Sequence, residues 1–197
     1  PEYCFPELNS QHISFEALGH PLISKEKRVC NSISFDQERF VILTGSNMSG
    51  KSTFLRTLGI GVILANAGSV VPAKSARFYP VPLLVSMRLS DSLEESTSYF
   101  FSEVKRLRLI IDNLNQGLAF VLLDEILRGT NSDDKQNGTI GIVEQMVRLN
   151  AIGMIATHDL EVCETQKLHP DYLSNQCFEV EIRDNDLFFD YTLRNGI

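Results

Sequence analysis

The feature that most constrains this chain is a glycine-rich octapeptide, residues 45–52, between an apolar run and a helix-like segment. It reads Gly-Ser-Asn-Met-Ser-Gly-Lys-Ser and fits the pattern G-x-x-x-x-G-K-[ST] in full. Residues 40–44 are typical of a buried strand, and residues 51 to about 67 are typical of a helix. A loop in this setting presents backbone N–H groups and a positive helix end to phosphate oxygens. It therefore predicts a nucleotide-phosphate site on a parallel α/β sheet.

The polar side chains of this loop have predicted roles around a magnesium-bound nucleotide. Lys51 would reach the β- and γ-phosphates, and the Ser52 hydroxyl would be a ligand of Mg²⁺. The chance alternative is a glycine turn with a surface lysine, which the flanking strand and helix disfavour. The predicted nucleotide-binding set is Gly45, Ser46, Asn47, Met48, Ser49, Gly50, Lys51, Ser52 and Thr53.

Two acidic residues follow a second apolar run, residues 119–123, which is also typical of a buried strand. Because parallel strands end at one edge of the sheet, Asp124 and Glu125 should lie beside the glycine-rich loop. Asp124 would hold Mg²⁺ through water, and Glu125 would orient or deprotonate an attacking water. The alternative is a solvated acidic turn. A glutamate placed for water favours hydrolysis over transfer to another acceptor.

His158 follows a third apolar run, residues 152–156. A histidine at a strand end is often only a structural hydrogen-bonding group. After a third core strand of the same sheet, however, it is in the position to contact the γ-phosphate. The predicted catalytic residues are therefore Lys51, Glu125 and His158.

The remaining pattern predicts one α/β domain over residues 1–197, with a mainly parallel central sheet, helices on both faces and antiparallel strands near the termini. Helices are predicted over residues 91–114 and 135–149, and the second has its N-cap and first-turn acids among residues 132–134. Residues 1–30 are predicted to be an irregular, extended lead-in. Residues 177–197 are predicted to form an antiparallel hairpin, because residues 178–183 alternate strictly before a turn.

Charge, cysteine content and hydropathy disfavour several classes of protein. The net charge of −7 disfavours direct gripping of a nucleic-acid backbone, which needs clustered basic residues. The four cysteines form no Cys-x-x-Cys pair, so neither zinc nor disulfides are predicted and a cytoplasmic location is expected. No membrane span is predicted, because the most apolar stretch, residues 58–71, is shorter than the roughly 20 residues required. Since the chain begins with Pro1, we expect it to be part of a longer protein.

Several motifs, taken together, resemble the MutS family of DNA mismatch-repair ATPases. Residues 44–53 resemble the family's TGPNMGGKST loop, in which Asn-Met is unusual among phosphate loops. Residues 124–130 resemble its DEIGRGT, residues 156–158 its ATH, and residues 19–21 its RHP. Residues 90–103 contain counterparts of its SDDL and STFxxE. The resemblance covers about residues 19–196 in the family's order, and it implies an ABC-type P-loop ATPase fold.

The resemblance also implies a site completed by two subunits. Ser98 matches the family's signature serine, which acts in trans on the nucleotide of the opposite subunit, whereas from the residues alone a helix N-cap would be favoured. Residues 128–132 would lie at the same junction. The implied partners are ATP or ADP, a second MutS-like subunit, and mismatched or structured DNA bound by domains outside this chain.

Four departures from the family pattern indicate a divergent branch. Ser49 and Leu127 replace glycines, and residues 134–135, Asp-Lys, stand where the family has Asp-Gly. Arg28 takes the approximate place of an aromatic residue that stacks on adenine, where its guanidinium could stack in turn.

The prediction from these residues is Mg²⁺-dependent ATP binding and hydrolysis, with composite sites formed on dimerisation. One alternative is a nucleotide-gated dimerisation switch with little turnover. Another is an ABC-type ATPase of recombination or chromosome machinery, which Asn47, Met48 and the lack of a long coiled-coil insertion disfavour. Because the family's helix-turn-helix pairing element would follow residue 197, we expect the isolated chain to be weakly dimeric or monomeric, with low basal ATPase.

Overall fold

The structure is a computed structural model that describes residues 2–8, 11–87, 96–183 and 186–197, with the side chains of residues 96–99 and 183 left out. The predicted helical residues 91–95 and the predicted turn residues 184–185 lie outside this description. The strands are β1 (Glu7–Leu8), β2 (Ser14–Leu18), β3 (Asn31–Ser34), β4 (Phe40–Gly45), β5 (Ser75–Phe78), β6 (Leu83–Ser86), β7 (Phe120–Asp124), β8 (Ile152–Ala156), β9 (Leu173–Arg183) and β10 (Asp186–Asn195). The helices are α1 (Lys51–Asn66), α2 (Ser96–Leu114), α3 (Ser132–Arg148) and α4 (Thr165–Leu168), with a 3₁₀ helix at Leu160–Glu164.

The central sheet has six strands in the order β10-β9-β4-β8-β7-β6. Every neighbouring pair in it is parallel except β9 and β10. A smaller sheet, in the order β1-β5-β2-β3, lies against the same core as helix α1. The mixed α/β class and the mainly parallel sheet are therefore confirmed.

Helices cover both faces of the central sheet because its inner strands are apolar on both sides. In β7, Phe120 and Leu122 face the cluster that holds α1, whereas Val121 and Leu123 face the cluster that holds α2 and α3. These four side chains are fully buried. Parallel strands buried in this way have continuous apolar sequences. No helix among the described residues is long and apolar enough to cross a membrane.

The predicted strands over residues 40–44, 119–123 and 152–156 agree with β4, β7 and β8 to within one residue. Helix α3, by contrast, begins three residues before its predicted start, at Ser132. Its N-cap is Asn131 rather than any of residues 132–134, because the Asn131 Oδ1 accepts a hydrogen bond from the Asp134 backbone N–H at 2.9 Å. The acids Asp133 and Asp134 lie in the first turn, as predicted from the helix dipole.

The two ends of the chain are more integrated than their sequences indicate. Within the predicted irregular lead-in, β2 pairs with both β3 and β5, and its Phe15 and Leu18 are buried. Strand β9 begins at Leu173, and its residues 173–178 pair in parallel with β4, while the strand from residue 176 to 183 pairs antiparallel with β10. The C-terminal hairpin is therefore an extension of the central sheet.

Candidate nucleotide site

The glycine-rich loop leaves β4 at Gly45 and enters α1 at Lys51. Gly45 (φ 145°) and Gly50 (φ 100°) adopt backbone angles that side chains disfavour. A Cβ at Gly45 would also lie 2.6 Å from the Ser49 Oγ and 2.9 Å from the Phe178 carbonyl oxygen. Among the described residues, no side chain caps the N-terminus of α1. The backbone N–H groups of its first turn are therefore open to an anion.

Lys51 is a buried cation held against the loop. Its side chain is 4% exposed, and its Nζ donates hydrogen bonds to the carbonyl oxygens of Gly45 (2.7 Å) and Ser46 (3.0 Å). The Nζ also lies 3.6 Å from the Glu125 Oε1. Burial lowers the pKa of Lys51, and the Glu125 carboxylate opposes that shift. The ammonium group is thereby oriented towards the place where phosphates would lie in the loop.

Glu125 follows β7 directly and lies among three basic side chains. Its Oε2 is paired with the Arg128 Nη2 and lies 3.6 Å from the His158 Nδ1, while Lys51 approaches Oε1. The Lys135 Nζ lies 3.4 Å from the other ring nitrogen of His158. The structure thus brings the predicted catalytic residues Lys51, Glu125 and His158 together, because β4, β7 and β8 end at one edge of the sheet.

Asp124 and Ser52 carry the kind of oxygen donors that would suit Mg²⁺. Asp124 ends β7 with only 8% exposure, and its Oδ1 has no hydrogen-bond partner in the part of the chain that the structure describes. A buried carboxylate oxygen of this kind is costly unless a cation or a water satisfies it. Ser52 lines the neighbouring cavity. Two protein oxygens suit Mg²⁺, which keeps waters and nucleotide phosphates as its remaining ligands.

A cavity of about 460 Å³ lies next to the loop. Residues 47–54 line one side of it, and its other side is partly apolar, with contributions from Leu18, Ile23 and Val29. Its size and mixed character suit a small organic ligand with a polar tail. Arg28 is not among the residues that line the cavity, because its guanidinium donates two hydrogen bonds to the Ile23 carbonyl oxygen, at 2.8 and 2.6 Å. Stacking of Arg28 on a nucleotide base stays a prediction.

Tyr191 and Asn31 are site residues that the sequence alone did not reveal. The Tyr191 ring lies against Gly50, since a Cβ there would be 2.9 Å from the Tyr191 Cδ1. The Asn31 side chain donates to the Tyr191 carbonyl oxygen at 3.0 Å and accepts from the Leu193 N–H at 2.8 Å. These bonds hold an irregularity in the pairing of β9 with β10. That irregularity depends on contacts between residues about 160 positions apart in sequence. No local sequence pattern could therefore have placed either residue at the site.

Ser98 lies in the first turn of α2, and its side chain is outside the description. Its role across a subunit boundary therefore remains a prediction.

Comparison with known proteins identifies the family. Residues 41–197 match the family model for MutS domain V. The chain is 31% identical to a MutS protein homolog 4 from Homo sapiens over 100% of its length and 22% of that protein's. It is 32% identical to a DNA mismatch repair protein MutS from Thermotoga maritima and 33% identical to a DNA mismatch repair protein MSH4 from Arabidopsis thaliana, over 99% and 98% of its own length and 25% of each relative's. The chain therefore spans about a quarter of the length of these relatives. With this loop, this sheet edge and these matches, the chain belongs to the MutS family and corresponds to its domain V.

Proposed function

We propose that this chain is an ABC-type ATPase module that binds ATP with Mg²⁺ and hydrolyses it within a MutS-like DNA-handling protein. The observation that carries the proposal is the meeting of Lys51, Glu125 and His158 beside the glycine-rich loop. MutS-family proteins are ATPases in general, which supports the assignment at the level of the family.

The loop and Lys51 would bind the triphosphate. Backbone N–H groups of residues 45–53 would donate to phosphate oxygens, and the Lys51 ammonium would turn from the Gly45 and Ser46 carbonyls to the β- and γ-phosphates. Ser52 and Asp124 would hold Mg²⁺, which when bound neutralises phosphate charge. The apolar side of the cavity and the Tyr191 ring would accept the base.

Glu125 would serve as the general base for hydrolysis. Its carboxylate is 10% exposed and faces the loop, so a water between it and the γ-phosphate could be oriented and deprotonated. His158, at the end of β8, would donate a hydrogen bond to a γ-phosphate oxygen. A proton would thus pass from water to Glu125 while the charge on the leaving phosphate is stabilised by Lys51.

The complete site would contain a second subunit, whose Ser98 would approach the nucleotide from the opposite side. DNA contact would fall to other domains, which is consistent with the chain's net charge of −7. The mismatch-repair names of the relatives support a DNA-linked role. Since this chain covers about a quarter of those proteins, that role is proposed for the whole protein and not for this domain alone.

The second candidate is a nucleotide-gated dimerisation switch with little turnover. It is favoured by one observation, namely that both Glu125 oxygens are engaged by basic side chains instead of being left for water. Measurements of oligomer size with and without ATP, alongside phosphate release, distinguish the candidates. ATP-dependent assembly without phosphate release would support the switch.

The test of hydrolysis uses Lys51→Ala and Glu125→Gln in the protein that carries this chain, with the exposed Lys74→Ala as the matched control. Lys51→Ala should weaken ATP binding at least about 100-fold, and Glu125→Gln should bind ATP but lose turnover about 100-fold or more. Lys74→Ala should leave both unchanged. Wild-type turnover in Glu125→Gln would overturn the assignment of the base, and no ATP binding by the unaltered protein would overturn the proposed function.

A further inference from the structure

The turn that follows β7, residues 125–128, holds the proposed general base in an unfavourable backbone conformation. Glu125 (φ 45°) and Leu127 (φ 60°) both lie in the left-handed region, although neither is a glycine. Such conformations persist only where surrounding structure holds them. The question is which side chains hold this turn.

Helix α2 supplies the main restraint through Glu103. This carboxylate is 9% exposed, and its Oε2 accepts a hydrogen bond from the Leu127 backbone N–H at 3.0 Å. The Arg128 backbone N–H adds to the effect of the Leu127 N–H in lowering the pKa of this carboxyl. One turn earlier on α2, Phe100 lies against Gly129, where an added Cβ would come within 2.8 Å of the Phe100 Cβ.

Arg128 carries this restraint on to Glu125. The Arg128 Nε donates to the Glu125 carbonyl oxygen at 3.1 Å, and its Nη2 pairs with the Glu125 carboxylate. Hydrogen bonds therefore restrain the turn at two places, from the Leu127 N–H to Glu103 and from the Arg128 guanidinium to Glu125. From the other side, Leu127 fills the space above α3, where a Cβ on Gly138 would lie 2.6 Å from the Leu127 Cδ1.

Burying the Glu103 carboxylate costs free energy, which argues that its contact with the turn is not a by-product of packing. Burial raises the pKa of this carboxyl, and the two backbone amides oppose the shift. A buried acid of this kind is tolerated when its oxygens are hydrogen-bonded. Glu103 is not among the described residues that line the cavity, so it would act on the reaction only through the turn.

We propose that Glu103 is a positioning residue that fixes the 125–128 turn so that Glu125 faces the nucleotide site. The inference rests on the proposed function, in which Glu125 is the general base. It also gives α2 a defined mechanical role, because the helix whose first turn contains Ser98 also holds, five residues later at Glu103, the turn that carries its own subunit's base.

The experiment separates nucleotide binding from turnover in the protein that carries this chain. Glu103→Ala should lower kcat about tenfold or more and leave the Kd for ATP within about twofold, since the loop residues do not depend on it. Glu103→Gln keeps an acceptor oxygen for the Leu127 N–H and should recover most of the lost kcat. The control, Asp112→Ala on the exposed side of α2, should change neither value. Unchanged kcat in Glu103→Ala would overturn the proposal, as would equal losses in the Gln and Ala variants.

A double-mutant cycle tests whether Glu103 acts through Glu125. In the Glu125→Gln background, Glu103→Ala should cause no further loss of the residual turnover, and a full additional tenfold loss would contradict the proposal. If Glu103→Ala does not fold, Glu103→Asp replaces it, because withdrawing the carboxylate by one methylene should lower kcat with normal thermal unfolding.

Hydrogen exchange gives a readout that does not need turnover. The Leu127 amide should exchange about 100-fold faster in Glu103→Ala while those of β7 stay protected. Unchanged protection of the Leu127 amide would overturn the proposal even if the protein hydrolyses ATP. If the unaltered protein shows no ATPase activity, the proposed function fails, and the exchange result still decides whether Glu103 holds the turn.

Discussion

The Lys51 ammonium is a buried charge, and burying it reduces the stability of the folded chain. It is nearly inaccessible to solvent, and burial lowers its pKa below the ordinary value of 10.5. A base whose pKa falls on folding is protonated more easily in the unfolded chain. The buried Lys51 therefore lowers the free energy of unfolding at neutral pH. This destabilisation disappears as the pH rises through the unfolded-state pKa.

Replacing Lys51 by methionine should therefore stabilise the nucleotide-free chain while abolishing ATP binding. We expect Lys51→Met to raise the melting temperature at pH 7 by about 2–4 °C, the shift that roughly 1 kcal/mol produces at this chain length. The gain should shrink as the pH approaches 10. Lys74→Met is the control with the opposite sign, because Glu16 raises the pKa of the exposed Lys74. A melting temperature below that of the unaltered chain at pH 7 would contradict the argument.

Individual site residues could be predicted from the sequence where a local pattern identifies them. The loop pattern identifies Lys51 and Ser52, and the ends of apolar runs identify Glu125 and His158. Tyr191 and Asn31 could not be identified in this way, because their place at the site depends on a non-local strand pairing. The hydrogen bond from a turn 24 residues away to Glu103 could not be predicted from the sequence either. The family resemblance only identifies this residue as the glutamate of the STFxxE motif.

At the scale of elements, predictability follows burial and the distance between pairing partners. Strands β4, β7 and β8 are buried on both faces, so their apolar runs stand out from the surrounding sequence. Strand β2 pairs antiparallel with β5 about 60 residues away, and the local sequence indicates neither its bounds nor its partner. Strand β9 pairs in parallel with β4 over residues 173–178 and antiparallel with β10 from residue 176 onwards, and only residues 178–183 show regular alternation.

Gly153 is the residue on which the pairing of β7 and β8 most depends. Its φ is 142°, and an added Cβ would lie 1.9 Å from the Val121 carbonyl oxygen in the neighbouring strand. Neither strand can move away without disturbing the buried sheet. Gly153→Ala should therefore lower the free energy of unfolding by about 3 kcal/mol or more, measured by urea denaturation.

The matched control for this change is Gly141→Ala in helix α3. A Cβ at Gly141 would have nothing within 4 Å, so the variant should gain helix propensity worth about 0.5–1 kcal/mol. Opposite signs for the two glycine substitutions are the expected result. A Gly153→Ala variant as stable as the unaltered chain would show that β7 and β8 are not packed as described.

At the scale of the whole molecule, the chain contains one half of the proposed site. Its own loop, Glu125 and His158 lie at one sheet edge, whereas the Ser98 required by the family resemblance would come from a second subunit. Each subunit would then contribute different parts to two separate sites. A site built in this way can be restored by mixing two inactive variants that fail for different reasons.

Mixing Lys51→Ala with Ser98→Ala in the protein that carries this chain tests this arrangement. Each variant alone should form dimers in which both sites lack an essential group. In a mixed dimer, the Ser98→Ala subunit keeps an intact loop and receives the intact Ser98 of its partner, so one of the two sites is complete. Random exchange at equal concentrations should therefore restore about a quarter of the wild-type phosphate release.

The controls are each variant alone and a mixture of Lys51→Ala with the double variant Lys51→Ala/Ser98→Ala, which contains no intact loop and should stay inactive. If every site is complete within one subunit, mixing adds nothing beyond the average of the two variants. Recovery in the first mixture alone is the result that a shared site requires, because no single polypeptide in it carries both an intact Lys51 and an intact Ser98.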